Sequence, residues 1–102
     1  MKELVIAAGD SGVYVGWVKG GAGALGADGR LVLTGARHLR RYCVMGRTGD
    51  GSASDLAALG LDASSLSVSS PVPGSTVLIG VRRVFDVVPN VATTFGCGEG
   101  GA

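Results

Sequence analysis

Clustered metal ligands, aromatic side chains and long apolar runs are all scarce in this 102-residue chain. The lone histidine, His38, would have to serve any Ser/His/Asp triad or imidazole metal site by itself. The two cysteines, Cys43 and Cys97, stand far apart with no CxxC and no Cys/His cluster. That excludes a zinc site and a dense disulfide scaffold and leaves reduced thiols, as in a cytosolic protein, as the expectation. Carboxylates are unclustered too, so the paired titratable groups of general acid/base work are missing; the chain reads as a non-enzyme with no cofactor and no metal. A net charge of +1 gives no bulk attraction to nucleic acid or membrane. The apolar run in "MKELVIAAGDSG" is too short for a signal h-region or a membrane span, so nothing in it directs export and no membrane partner is expected.

What is present is glycine, 19 residues of it, punctuating a chain that is 46% hydrophobic. Short apolar runs between glycines suit a small β-rich protein better than a helical bundle, and one domain is the size prior. Residues 3–7 read as a strand, and "GDSG" at 9–12 as a turn whose residues tolerate positive φ. In "VYVGWV" (13–18), Val13, Val15 and Trp17 share one strand face and Tyr14, Gly16 and Val18 the other. Residues 19–30 are a long hairpin loop ending in a tight Asp28-Gly29 turn. Strand character resumes at Leu31, is interrupted at Gly35 and continues to Val44, as two strands or one bent strand.

Ser52 followed three residues later by Asp55 is an Asp-containing relative of the capping box. It places Ser52 at an N-cap, Ala53 to Leu59 in a short helix and Gly60 just past its end, with Leu56, Leu59 and Leu61 burying one side. Leu66 and Val68 alternate weakly, as in an edge strand ended by Pro71. "TVLIGVRRVFDVVPN" is the strongest strand signal: Val77, Ile79, Val81, Phe85 and Val87 alternate with Arg83 as the odd member, which predicts a break, bulge or hinge around 80–83. Trp17 and Phe85 read as core and Cys43 as a buried small apolar residue, whereas Cys97 in the "TTFGCGEGGA" tail reads as exposed and the tail as loose. The expected fold is mainly β, a small barrel or strongly bent antiparallel sheet with one short helix, formed by residues 1–90 and followed by a Gly-rich tail over 91–102.

One stretch could carry chemistry. Arg37, Arg40, Arg41 and Arg47 precede "RTGDGS" and a helix start, where free N–H donors favour an anion. Strand alternation sends Arg37 and Arg41 one way and His38 and Arg40 the other; Tyr42 beside Arg40 on an exposed face would allow stacking with a nucleotide. The GxxxxGK[ST] and GxGxxG signatures are absent, and Asp50 would repel a phosphate, so a structural turn is the primary reading of the loop. The candidate ligand-binding residues are Arg40, Arg47, Thr48, Gly49, Gly51 and Ser52.

The order of elements resembles a family of small bacteriophage- and prophage-encoded β-rich proteins of unestablished function: strand, turn, a "GWVxVG"-like strand, a variable loop, an "LxLxxAxxIRxW"-like strand, a "TxxGLGELA"-like turn and helix, and paired C-terminal strands. The echoes are "GVYVGWV", "LVLTGARHLRRY", "GRTGDGSASDLAALG" and "STVLIGVRRVFDVV", across most of residues 3–88. Tyr42 stands where tryptophan is common, and the "GLGELA" element appears as "GSASDLA". The resemblance implies a phage origin and a compact β-rich fold, and supplies no reaction. The expected function is that of a non-enzymatic phage or prophage accessory protein in the host cytoplasm, a binding module for a host protein or a small nucleotide-like anion. The alternative is a virion structural protein, capsid-associated or decorating, that packs into an assembly. Self-association is expected in either case, because the core is small and the sequence apolar.

Overall fold

The structure, a computed structural model, describes residues 2–45, 52–62, 65 and 67–97. Strands β1 (Lys2–Gly9) and β2 (Gly12–Lys19) form a hairpin in which Gly9 pairs with Gly12, leaving Asp10 and Ser11 as the turn. Its register sets Leu4 opposite Trp17 and Ile6 opposite Val15 on one face, and Val5 opposite Gly16 and Ala7 opposite Tyr14 on the other. Both faces are covered, since Leu4, Val5, Ile6 and Ala7 are all buried. A continuous apolar run is what a strand packed on both sides requires.

Strand β3 (Leu31–Arg41) is one bent strand. Thr34 pairs with Trp17 but Arg37 pairs with Val15, so β3 carries one residue more than β2 over this stretch, and Gly35 absorbs it at φ 61°. An inserted residue flips the alternation. Leu31, Leu33 and, beyond the bulge, Ala36 therefore lie in the core with Val5 and Ala7, while Leu39 lies in the core with Leu4 and Ile6.

The sheet runs β4 (Ser67–Val68), β3, β2, β1, β6 (Val81–Asp86), all antiparallel, with β5 (Ser75–Leu78) also paired to β3. Only Ile79 and Gly80 separate β5 from β6, yet β5 is bonded to β3 and β6 to β1, the outer strands of the three-strand meander. The sheet must curl for one short link to serve both. It is strongly bent and unclosed, which bears out the mainly β expectation. The break expected around 80–83 is this link, together with a register shift where Ala8 pairs with Arg83 and Gly9 with Val81.

Helix α1 (Ala53–Leu59) covers the Leu4/Ile6 face. Ser52 accepts from the Asp55 N–H at 3.3 Å and the Asp55 carboxylate accepts from the Ser52 N–H at 3.3 Å, the capping box the sequence announced. Leu56 and Ala57 point inward; Leu61 follows, paired to Val44 in an isolated bridge. Leu59, expected with them, is 40% exposed. So short a helix has one inward face, and Gly60 at φ 95° turns the chain before Leu59 can be covered.

The C-terminal segment departs most from expectation. Residues Pro89–Phe95 form a 3-10 helix over the same face, with Phe95 fully buried and Cys97 buried beside it. The Trp17 Nε1–H donates to the Cys97 carbonyl at 3.0 Å, and the Arg37 guanidinium donates to the carbonyls of Phe95 (2.6 Å) and Ser69 (2.8 Å). The packed body therefore runs past residue 90 through Cys97, and Phe95 and Cys97, in the stretch read as loose tail, are core. Residues 98–102 lie outside the described part.

Candidate functional site

Of the six residues singled out for anion binding, Arg47, Thr48, Gly49 and Gly51 lie outside the described residues. The other two are not brought together. Arg40 is exposed near the end of β3, beside His38 and on the face opposite Leu39. Ser52 begins α1, whose Leu56 packs in the Leu39 core, and its hydroxyl is engaged by the Asp55 N–H, with the Ser54 hydroxyl 2.9 Å away. Tyr42 follows the end of β3 and packs into that same core instead of standing beside Arg40.

The aromatic beside Arg40's neighbour is Tyr14. The rings of Tyr14 and His38, partners across β2 and β3, stack with centroids 4.4 Å apart and planes 7° from parallel. Burial holds His38 below its ordinary pKa, and the charge of Arg40 pushes the same way. His38 is thus tied by packing and by backbone: its N–H donates to Ser69 Oγ at 2.7 Å and its carbonyl accepts from the Ser69 N–H at 3.0 Å.

Two surface grooves of about 460 Å³ are lined by several polar groups that already serve the fold. In one, Arg37 holds two carbonyls, Thr94 Oγ1 donates to the Val91 carbonyl and accepts from the Leu61 N–H, and Ser65 Oγ donates to the Asp62 carbonyl and accepts from the Cys43 N–H. In the other, the Trp17 indole holds Cys97, Lys2 donates to Thr34 Oγ1 at 2.9 Å, and Asp86 Oδ1 accepts from the Ala22 N–H at 2.8 Å. Cys97 sits at the end of this scaffold, its thiol pushed up to about 11 by burial against the opposing pull of Arg37. A pulse of iodoacetamide at about pH 8 is therefore expected to label half-buried Cys43 and to spare Cys97 until the chain is denatured. Equal labelling of the two by mass spectrometry would show that residues 89–97 open in the native state.

Among the described residues, a surface without an internal task lies on β5. The Gly35 N–H donates to the Gly74 carbonyl at 3.3 Å, so the hydrogen-bonded pairs of the β3–β5 ladder are Leu33 with Thr76 and Leu31 with Leu78. The N–H and C=O groups of Ser75 and Val77 consequently point away from β3, to an edge on which no strand pairs among the described residues. The outer face here is apolar as well. It is the continuation of the face that α1 and residues 89–95 cover farther along the sheet, and here it is uncovered: Val32 and Val77 are cross-strand partners, Val77 is 48% exposed and Ile79 71%.

The sheet's other free edges are managed. Strand β6 lies against the loop that follows β2, through the Val81 N–H to Gly29 carbonyl bond at 2.9 Å and through Asp86 to Ala22, and it bears Arg82 and Arg83. Strand β4 has only two residues and is followed by Pro71 and Pro73. Natural sheets protect edges by covering, charging or shortening them. From Ser75 to Ile79 there is no charge and no proline, and only brevity guards β5. The sequence reading missed this site because the alternation of Val77, Ile79 and Val81 looks like a core face. The signal was Gly80, which ends that alternation, leaving Leu78 and Val81 inside and Val77 and Ile79 outside.

No protein-family model, curated protein or solved structure matches the chain.

Proposed function

We propose that the protein is a non-enzymatic binding module, an accessory protein of the phage kind, that takes an extended strand of a protein partner onto the open edge of β5. The supporting observation is the coincidence, at one place, of outward-pointing backbone groups at Ser75 and Val77 with the exposed side chains of Val77 and Ile79. Strand addition uses just this pair of features: backbone hydrogen bonds give affinity, and alternate side chains give selectivity. Isolated exposed apolar residues are ordinary on protein surfaces; a cross-strand cluster beside an unpaired edge is a binding feature.

A photo-crosslinking amino acid placed at Ile79, in cells that make the protein, is expected to yield a discrete adduct, and the same residue at Arg83 on β6 is expected to yield none. Failure of the Ile79 position to form any adduct would overturn the reading.

A further inference from the structure

We infer that the strand completing β5 is β5 of a second copy of this chain, paired antiparallel about a two-fold axis at Val77. The inference rests on the strand-addition reading above and names its occupant. A two-fold antiparallel pair sets each residue opposite its mirror position, so an edge can pair with itself only if mirrored residues tolerate one another. Around Val77 the mirror pairs are Val77 with Val77, Thr76 with Leu78 and Ser75 with Ile79, all uncharged. Among the charged side chains nearby, Arg82 and Asp10 pair with each other at 2.9 Å, and Lys2 is held by Thr34 Oγ1, across from Ser75. The same operation on β6 would set arginines 82 and 83 among their own copies, and like charges directly opposite destabilise a pair.

The hydrogen-bond phase agrees. Val77 directs its N–H and C=O outward, so Val77 against Val77 is a closely spaced, doubly bonded pair, with Ser75 opposite Ile79 on each side of it. The Gly80 carbonyl is taken by the Asp10 N–H at 3.2 Å and the Ile79 carbonyl accepts from the Ser11 hydroxyl at 3.5 Å, so the new ladder ends at Ile79, with Val77 as its fully bonded centre. Side chains of Val32, Val77 and Ile79 from both copies then form one apolar stripe across the joined sheets, withdrawing from water the apolar surface that a single copy leaves exposed.

Sedimentation equilibrium of the purified full chain, over micromolar to high micromolar concentration, tests this. The expected species is twice the 10.1 kDa chain mass, and Val77→Lys, at a half-exposed position, is expected to weaken dimerisation at least tenfold with an unchanged far-UV spectrum. Arg83→Glu is expected to leave the dimer intact. In the wild type, exchange of the Val77 amide hydrogen should slow as concentration rises, a readout that stands even if the lysine variant unfolds. A wild type that is monomeric throughout, a lysine variant that remains dimeric, or a Val77 amide indifferent to concentration would each overturn self-pairing. If the purified chain is monomeric while the Ile79 crosslinker captures a different protein in cells, self-pairing alone fails; if the crosslinker captures nothing, both readings fail.

Discussion

Phe95→Ala is expected to lower stability by about 3–5 kcal/mol, the usual cost of truncating a buried phenylalanine. Domains of this size have only about 5–15 kcal/mol to lose. Phe95 is fully exposure-free in a core it shares with Leu4, Ile6, Val15, Leu39 and Leu56, which come from β1, β2, β3 and α1. The cavity would open where those elements meet, and no single side chain there can move in without giving up its own strand or helix packing. Two further ties depend on the segment: the Arg37 bond to the Phe95 carbonyl and the Trp17 bond to the Cys97 carbonyl. Urea unfolding followed by Trp17 fluorescence measures the effect directly. A loss below about 1 kcal/mol would mean that residues 89–97 open independently of the cooperative unit.

Gly9→Ala is expected to cost about 1–3 kcal/mol, the usual range for overpacking. A Cβ at Gly9 would overlap the Gly80 carbonyl oxygen and lie 2.8 Å from the Val81 Cα and 3.1 Å from the Gly80 carbonyl carbon. These are backbone atoms, with no rotamer to swing aside. Relief requires moving β6 away from β1 at the register shift, or moving the Ile79–Gly80 link that lets β5 and β6 serve different partners. By contrast, a methyl at Gly74 meets nothing within 4 Å, and its penalty is only that of φ 79°. Thermal unfolding of Gly9→Ala beside Gly74→Ala sets the two causes side by side: the strain at positive φ belongs to Gly74 alone, and the backbone clash to Gly9. A Gly9→Ala melting temperature equal to that of the wild type would refute the close approach of β1 and β6.

Local chemistry was readable wherever neighbours in sequence decide the outcome. Ser52 and Asp55 announce α1 because a capping box is closed within four residues, and Gly9 to Gly12 announce a hairpin because two strands diverge from one turn. The two faces of β2 followed from simple alternation. What escaped were the results of distant pairing. Glycine and threonine around Phe95 look like a tail, and the distant Trp17 and Arg37 side chains, from β2 and β3, tie this stretch down so that Phe95 and Cys97 are core. Ile79 looks buried by period, and only the separate partners of β5 and β6 expose it. For the candidate anion site, Arg40 and Ser52 are close enough in sequence to suggest one cradle; the strand alternation of β3 separates them.

Strand β1, buried on both faces, pairs along one edge with its neighbour β2 and along the other with β6, where Val5 meets Asp86. During synthesis β1 leaves the ribosome long before β6 exists. The β1–β2 hairpin can close at once, but its Leu4–Ala7 run keeps one bare edge until β6 has emerged. Pairings between segments so far apart in sequence place the protein among slow, high-contact-order folders, on the millisecond-to-second scale. The nascent chain is therefore most vulnerable to wrong pairing in its best-buried strand, and a holding chaperone would be most needed there.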